Sequence, residues 1–421
     1  MKFLRRAGVG AIVGALLWAN SAGAADWPQW RGPERSGHST EKNLPLTWGG
    51  PEKANVRWKV PVDFGHSSPI VLGDRIYFTA SVKRLPKEKN DLAEFQTHRV
   101  ACHAVADGAR VWQTDIEPGT WDTMFSFTSP TPVTDGKKLF AYFGSAVFVA
   151  LDLEGKILWR KTLPGPFKAE WLCSSPLLFE ETLYIFCDVN NTTWLFALDA
   201  RTGDVKWERA RPQNEKAHNS SPLLVRAGGR PQLVVASPGA VLALDPQTAR
   251  ELWTCKWNAN RYPSLVAAGE LVFATGEGGE SLAIDPTGEG DVSKTHVKWR
   301  LAKTPQGFGS PIVVGAHIYR ASPPGIIRCW KVATGELVFE ERVEGVPTYT
   351  SPVATPDGRI YFAGAGTSCV IKAGPQLEVL ATNALGEGEK TEGYSTGPSA
   401  AVSAGRIFLR GPKALLCIGA P

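Results

Sequence analysis

The side chains that could bind a ligand stand two positions before a Ser–Pro step that recurs along the chain. Most are aromatic or polar, and they are His66, Phe127, Cys173, Asn219, Arg261, Phe308, Tyr349 and Thr396. Further aromatic and polar side chains lie close by in sequence, namely Trp121, Trp171, His218, Tyr262 and Tyr394. Flat apolar rings with a few hydrogen-bonding groups are the usual lining of a ligand pocket. The pattern predicts a binding mouth made by His66, Phe127, Trp171, His218, Asn219, Arg261, Tyr262, Phe308, Tyr349 and Tyr394. The alternative is that these side chains, with water, plug a central channel.

No motif for catalysis accompanies this set. The chain contains no HExxH zinc motif, no GxSxG nucleophile turn and no phosphate-binding glycine loop. Its seven histidines are scattered, and His98 and His103 alone approach the spacing of metal ligands. We therefore predict no catalytic residue and no metal site.

The elements that would position the mouth are short repeated strands. Intact Ser–Pro steps begin at Ser68, Ser129, Ser175, Ser221, Ser310 and Ser351, and degenerate copies stand at Pro263-Ser264 and Pro398-Ser399. These eight marks are 41 to 61 residues apart, which is the period of a four-stranded propeller blade. Each unit carries short β-type runs separated by turn residues, and the sequence lacks a long segment of helical periodicity after residue 24. The residues just before each step should crowd one mouth of the central channel.

A second signature marks the turn between the third and fourth strands of each unit. Unit three shows it whole, as Ala197, Asp199, Thr202, Gly203 and Trp207. Asp and Gly suit a tight turn, and the Trp offers a large flat face for the neighbouring unit. We predict that the structural docking residues are Trp58, Trp112, Trp159, Trp207, Trp253 and Trp299. Phe339 occupies the position of the docking tryptophan in unit six. Unit five contains a small insertion at residues 287–296.

The eighth unit ends without a fourth strand, whereas the segment NVRWKVP, with Trp58, precedes the first step. We expect this N-terminal strand to complete the last blade, since closure removes the exposed sheet edges. The predicted fold is therefore all-β, a single eight-bladed β-propeller with four-stranded antiparallel blades over residues 56–421. A leader at 25–55 is expected to pack on the propeller.

The first 24 residues resemble a secretory signal peptide. Lys2, Arg5 and Arg6 precede an uncharged apolar run, and Ala22-Gly23-Ala24 supplies a small-residue cleavage site. Their removal lowers the formal charge from +5 to +2, which does not favour nucleic acid binding. We expect an exported, periplasmic or extracellular monomer without a transmembrane segment. No cysteine lies near the cleavage site, so a lipid anchor is not expected.

Seven cysteines, an odd number, include no adjacent pair and no CxxC or CxxCH motif. Cys102, Cys329 and Cys417 occupy small-residue positions of equivalent strands, where they should be buried. Cys173 and Cys187 flank one predicted hairpin. Either a disulfide joins them or both are reduced.

The Ala-Asp-Thr-Gly-Trp pattern resembles the tryptophan-docking repeat of pyrroloquinoline quinone (PQQ)-like propellers. That family includes quinoprotein alcohol dehydrogenases and the quinone-free propeller of the outer membrane assembly machinery. The segment DWPQWRGPERSG, residues 26–37, is similar to the mature N-terminus of secreted PQQ-like proteins from planctomycete-type bacteria. In this resemblance Trp27, Trp30 and Arg31 would hold the leader against the propeller.

The departures from the enzymatic relatives concern the cofactor. Those enzymes stack PQQ against a ring formed by two adjacent cysteines and bind calcium beside it, and neither set is recognisable here. We expect a non-catalytic binding or scaffold module without a cofactor, for a periplasmic or envelope protein or peptide partner, in the manner of envelope assembly factors. The alternatives are a PQQ- and calcium-dependent oxidoreductase with a divergent site and a carbohydrate-binding propeller with a small-molecule ligand.

Overall fold

The computed structural model is built from strands. It describes residues 25–82, 97–118, 128–163, 174–189, 192–211, 220–237, 239–259, 263–276, 278–305, 307–386, 389–391 and 394–420. Within these ranges there is no helix, and so none that could cross a bilayer. Eight antiparallel sheets form a ring, which confirms the predicted eight-bladed β-propeller.

Blades 1 to 4 take four consecutive strands each, from the channel outward. The strands are β2 (Ile70–Leu72), β3 (Arg75–Val82), β4 (Thr97–Ala104) and β5 (Arg110–Ile116) in blade 1; β6 (Val133–Thr134), β7 (Lys138–Tyr142), β8 (Val147–Asp152) and β9 (Ile157–Thr162) in blade 2; β10 (Leu177–Phe179), β11 (Thr182–Val189), β12 (Thr192–Asp199) and β13 (Val205–Arg211) in blade 3; and β14 (Leu223–Ala227), β15 (Arg230–Ser237), β16 (Ala240–Leu244) and β17 (Glu251–Lys256) in blade 4.

Blades 5 to 8 follow the same plan, with one added strand, one added hairpin and one strand from the N-terminus. The strands are β18 (Val266–Ala268), β19 (Leu271–Thr275), β20 (Ser281–Ile284) and β22 (Val297–Leu301) in blade 5; β23 (Ile312–Val314), β24 (His317–Ser322), β25 (Ile326–Lys331) and β26 (Leu337–Arg342) in blade 6; β27 (Val353–Ala354), β28 (Arg359–Ala363), β29 (Thr367–Lys372) and β30 (Glu378–Ala384) in blade 7; and β33 (Ala401–Ser403), β34 (Arg406–Arg410), β35 (Ala414–Ile418) and β1 (Val56–Pro61) in blade 8. The additions are β21 (Gly290–Asp291) and the hairpin of β31 (Glu389–Thr391) and β32 (Tyr394–Thr396).

The ring closes where β1 pairs antiparallel with β35. Trp58 lies opposite Cys417 and Val60 opposite Leu415, so the N-terminal strand is the outer strand of the last blade. The predicted closure is confirmed. β1 thereby covers the edge of β35 that would otherwise lack a partner strand.

Burial within each blade follows from its position between two neighbours. The middle strands are buried along nearly their whole length, whereas outer strands such as β9 alternate between half-buried and exposed positions. The middle strands therefore read as continuous apolar runs, because both of their faces pack on another blade. Most buried clusters combine side chains of two adjacent blades.

Tryptophans on outer strands lie across most blade junctions. Five indole N–H groups donate to a carbonyl in the third-to-fourth-strand turn of the next blade, over 2.8 to 3.2 Å. The pairs are Trp58–Val105, Trp112–Leu153, Trp159–Ala200, Trp207–Pro246 and Trp299–Val332. The turn glycine lets the ring lie close: a Cβ on Gly335 would stand 2.5 Å from Trp299.

The junction between blades 4 and 5 uses a glutamine relay. The indole N–H of Trp253 donates to Oε1 of Gln232 at 2.8 Å, and Nε2 of Gln232 donates to Pro286 O at 3.0 Å. The insertion of unit five supplies β21, which pairs in parallel with Trp253 and Thr254 and gives blade 4 a fifth strand. Trp253 and Gln232 are consequently buried, at 0% and 1% exposure.

Blade 7 has no tryptophan on its outer strand, and the leader fills the place. Trp48 stacks on Tyr361 of β28, with 6.5 Å between ring centroids. Its backbone N–H donates to Asn383 of β30 at 2.9 Å. In other blades the aromatic residue at the position of Tyr361 packs against the blade's own docking residue, as Tyr77 does against Trp112.

Candidate functional site

A closed ring of hydroxyl groups surrounds the central channel at the start of the innermost strands. Each ring residue donates its backbone N–H to the side-chain oxygen of its counterpart in the next blade, over 2.9 to 3.2 Å. The members are Ser68, Thr131, Ser175, Ser221, Ser264, Ser310, Ser351 and Ser399. The proline that follows many of them has no N–H to satisfy, which suits a backbone facing the channel.

The ring corrects the alignment in three blades. In blade 2 the ring residue is Thr131 rather than Ser129, because two X-Pro steps stand in tandem and the neighbouring amide meets the second hydroxyl. In blades 5 and 8 the hydroxyl follows the proline, so the ring takes Ser264 and Ser399. The residues two positions before the ring are then Ser129, Tyr262 and Gly397, instead of Phe127, Arg261 and Thr396.

Three residues of the predicted mouth have described side chains. Phe308 and Tyr349, from the approaches to blades 6 and 7, stack with centroids 4.6 Å apart and planes 16° apart. Both are partly exposed. His66 meets Phe64 edge-on at 5.0 Å, on the approach to blade 1. The structure thus brings together Phe308 and Tyr349, and places His66 beside a different aromatic ring.

The other predicted mouth residues fall outside the described part of the chain. Phe127, Trp171, His218, Asn219, Arg261 and Tyr262 lie in undescribed ranges, and Tyr394 is described in its backbone alone, within β32. Cys173 also lies outside, so its pairing with Cys187 stays a prediction. The buried Sγ of Cys187 accepts a hydrogen bond from the hydroxyl of Tyr142 at 3.0 Å.

The leader enters the channel from the end opposite the predicted mouth. Trp27 pairs with Val71 of β2, and His38 bridges Ala354 of β27, so the segment crosses from blade 1 to blade 7. The carboxylate of Glu41 then accepts from the backbone N–H groups of Ala404 and Gly405, in the first turn of blade 8. The leader therefore occupies the turn end of the channel.

Two arginines of the leader reach the channel wall. Nη2 of Arg31 donates to Pro311 O at 2.7 Å, and Nη1 of Arg35 donates to Pro176 O at 2.8 Å. These prolines directly follow ring residues of blades 6 and 3, so the two guanidinium groups span the channel. Trp30 lies against both, at 5.6 and 5.9 Å from its ring centroid.

The electrostatics of this pair are unusual for buried cations. Arg31 and Arg35 are 3% and 8% exposed, and no ion pair to either is present among the described residues. Burial lowers the pKa of each to about 9, and the charge of Arg35 adds to the lowering in Arg31. Both remain charged at neutral pH. Sequence reasoning assigned Arg31 to packing and did not single out Arg35, whose only signal was its place in the leader motif.

Burial keeps two of the described cysteines, Cys102 and Cys369, from forming reactive thiolates. Burial raises the pKa of Cys102 to about 11 and that of Cys369 to about 12, so these thiols are protonated at neutral pH. They lie within separate blades, in β4 and β29, as buried apolar groups.

The ring of blades docked by tryptophan defines a PQQ-like β-propeller protein. The family model described as outer membrane protein assembly factor BamB matches residues 96–341, more than half of the chain, and the chain belongs to that family. A search of curated proteins found no match.

Two solved structures, BamB and a designed protein, agree with this chain on the fold. BamB from Moraxella catarrhalis is 15% identical with a TM-score of 0.59, over 86% of this chain and 97% of that one. The computationally designed Ika8 protein is 10% identical with a TM-score of 0.57, over 86% and 99%. Quinohemoprotein alcohol dehydrogenase from Comamonas testosteroni is 13% identical with a TM-score of 0.48, over 94% and 81%. At these identities the likeness concerns the fold alone.

In the described ranges no three His, Cys, Asp or Glu side chains converge on one point. The charged groups of the leader that contact the channel wall are Arg31 and Arg35.

Proposed function

We propose that the chain is a non-catalytic binding module that docks a protein or peptide partner at the channel mouth. The observation that carries the proposal is the stacked, partly exposed pair of Phe308 and Tyr349 on that face. Aromatic side chains supply much of the binding energy at protein interfaces, because they bury large rigid surfaces at low entropic cost.

The leader favours a docking face over a substrate tunnel. Its segment from Trp27 to Glu41 fills the turn end of the channel, so a ligand approaches from the mouth. Membership of a family described as an outer membrane protein assembly factor supports an envelope protein as the partner. The proposed function requires no cofactor.

The test places a photo-crosslinking amino acid at Tyr349 and, as a control, at Leu158. Leu158 is 46% exposed on the outer strand of blade 2. Exposure of both proteins to envelope extract should yield a specific adduct from position 349 alone. Phe308→Ala should weaken binding of the identified partner by about tenfold or more, as truncation of an interface hot spot does. Identical adducts from both positions, or none from position 349, would contradict the proposal.

We also propose that the protein is exported, because its first 24 residues resemble a signal peptide. The secreted protein should begin at Ala25 when its N-terminus is sequenced. Retention of residues 1–24 on the mature protein would contradict it.

Titration with PQQ and calcium should give no change in absorbance and no thermal shift; a saturable response would favour the oxidoreductase alternative.

A further inference from the structure

Two guanidinium groups lie in the channel with hydrogen-bonding capacity to spare. A guanidinium has five N–H donors. Nη2 of Arg31 bonds Ser36 O at 2.8 Å as well as Pro311 O, and Nη1 of Arg35 bonds Gln29 Oε1 at 3.2 Å as well as Pro176 O. The buried Nε and Nη1 of Arg31 and Nη2 of Arg35 have no partner among the described residues.

The bonds that these arginines do make are to neutral oxygens. Carbonyl and amide groups leave the two positive charges uncompensated, and a buried charge is normally paired. The nearby leader carboxylates are used elsewhere or lie outside the channel: Glu41 binds backbone N–H groups of blade 8, and Glu34 is exposed. No described Asp or Glu lies within ion-pair distance of either guanidinium.

We propose that the central channel binds one compact oxyanion, a carboxylate or a phosphate-like group, between Arg31 and Arg35. The planar fork of a guanidinium matches such anions with two parallel N–H donors. The three unpartnered nitrogens would donate to the anion, and Trp30 would hold both forks in place. This inference does not depend on a protein partner at the mouth.

The same two guanidinium groups would bind an anion from either of two sources. It could be a free small anion, or the terminal carboxylate of a peptide that enters from the mouth. Four probes separate these sources: acetate, inorganic phosphate, an acetylated tripeptide with a free carboxylate, and the same tripeptide as its amide.

The experiment is calorimetric titration of the full-length mature chain at constant chloride and ionic strength. We expect saturable binding of one anion per chain and a matching rise in the thermal midpoint. Arg31→Gln and Arg35→Gln should each weaken binding by about tenfold or more, because each removes charge-assisted hydrogen bonds. Arg201→Gln is the matched control, since that side chain is 64% exposed on the turn of blade 3 and should bind as the native protein does.

The results show whether the anion site exists and which class of anion it binds. Absence of binding by all four probes, or equal binding in the native and glutamine variants, overturns the site. Binding of the free-carboxylate peptide but not its amide or acetate identifies a peptide terminus; binding of acetate or phosphate identifies a small anion. If the glutamine variants do not fold, Arg35→Lys decides, because it keeps the charge without the fork: weaker binding supports the site and unchanged affinity overturns it.

Discussion

Replacement of Gln232 by Met should destabilise the propeller through the junction of blades 4 and 5. Gln232 joins Trp253 Nε1, 2.8 Å from its Oε1, to Pro286 O, 3.0 Å from its Nε2. Methionine has a similar volume and is tolerated sterically in most cores. The change therefore removes a donor and an acceptor while it fills the same space.

The expected loss follows from the two groups left without partners. Trp253 and Gln232 are 0% and 1% exposed, so water cannot replace the lost bonds. A buried donor or acceptor without a partner costs about 1–3 kcal/mol, and two such groups cost about 2–6 kcal/mol. We expect a loss near the lower end, about 3 kcal/mol, because the strands can adjust slightly.

The assay is equilibrium unfolding in urea, with the free energy of unfolding compared at equal slopes. Gln247→Met makes the same chemical change at an exposed turn residue and should shift stability by less than about 0.5 kcal/mol. In a double-mutant cycle with Trp253→Phe, the coupling should be about 1–2 kcal/mol. A loss under about 1 kcal/mol for Gln232→Met, or additive single effects, would refute the relay.

Three further predictions concern packing and pH. Trp48→Ala should lower the free energy of unfolding by about 3–5 kcal/mol, because the leader's indole is 3% exposed; a loss under about 1 kcal/mol in urea would show that the leader is not part of the blade junction. Gly335→Ala should cost more than Gly405→Ala, by about 1–3 kcal/mol in the same assay: both glycines have a positive φ, but a Cβ at Gly335 meets Trp299 whereas Gly405 has open space around it, so equal losses would contradict docking. Burial lowers the pKa of His98 to about 3, so below pH 6.5 the unfolded chain binds a proton that the native chain does not; stability should fall by about 2 kcal/mol between pH 7 and pH 5, and His98→Asn should flatten that slope in urea unfolding at each pH.

Blade number and closure could be predicted from sequence because their signals are local and repeated. The Trp58 strand stood where the last unit lacked one, and its pairing with β35 follows from the need to satisfy an open edge. The buried middle strands were likewise visible as apolar runs between turn residues. Each of these features is specified within one unit, so eight copies reinforced the same conclusion.

In blades 2, 5 and 8 the sequence did not show which residue joins the hydroxyl ring of the channel. Whether Ser129 or Thr131 joins the hydroxyl ring depends on where the next blade presents its own hydroxyl, which is a contact between units. Proline was the more visible mark, but the ring is built from hydroxyl oxygens. An alignment on proline therefore misplaced blades 5 and 8 by one residue and blade 2 by two.

Gln232, Trp48 and Arg35 were missed for a related reason. Each acts on a partner far away in sequence: Gln232 on Pro286, Trp48 on Tyr361, and Arg35 on Pro176. No short motif announces such contacts, and two of the three residues lie outside the repeats. Sequence periodicity identifies residues that recur in every unit, and it does not identify residues that occur at a single place in the chain.

Specificity for a ligand has to come from residues that differ between the blades or lie outside the repeats. Eight similar strands present nearly the same hydroxyl and carbonyl groups around the channel, so the ring alone offers a ligand several equivalent orientations. The leader removes that equivalence, since Arg31 meets blade 6 and Arg35 meets blade 3. It also supplies positive charge that no ring position provides. A ligand in this channel would thus be oriented by the leader, and the aromatic pair of Phe308 and Tyr349 would act on the part of the ligand that extends beyond the ring.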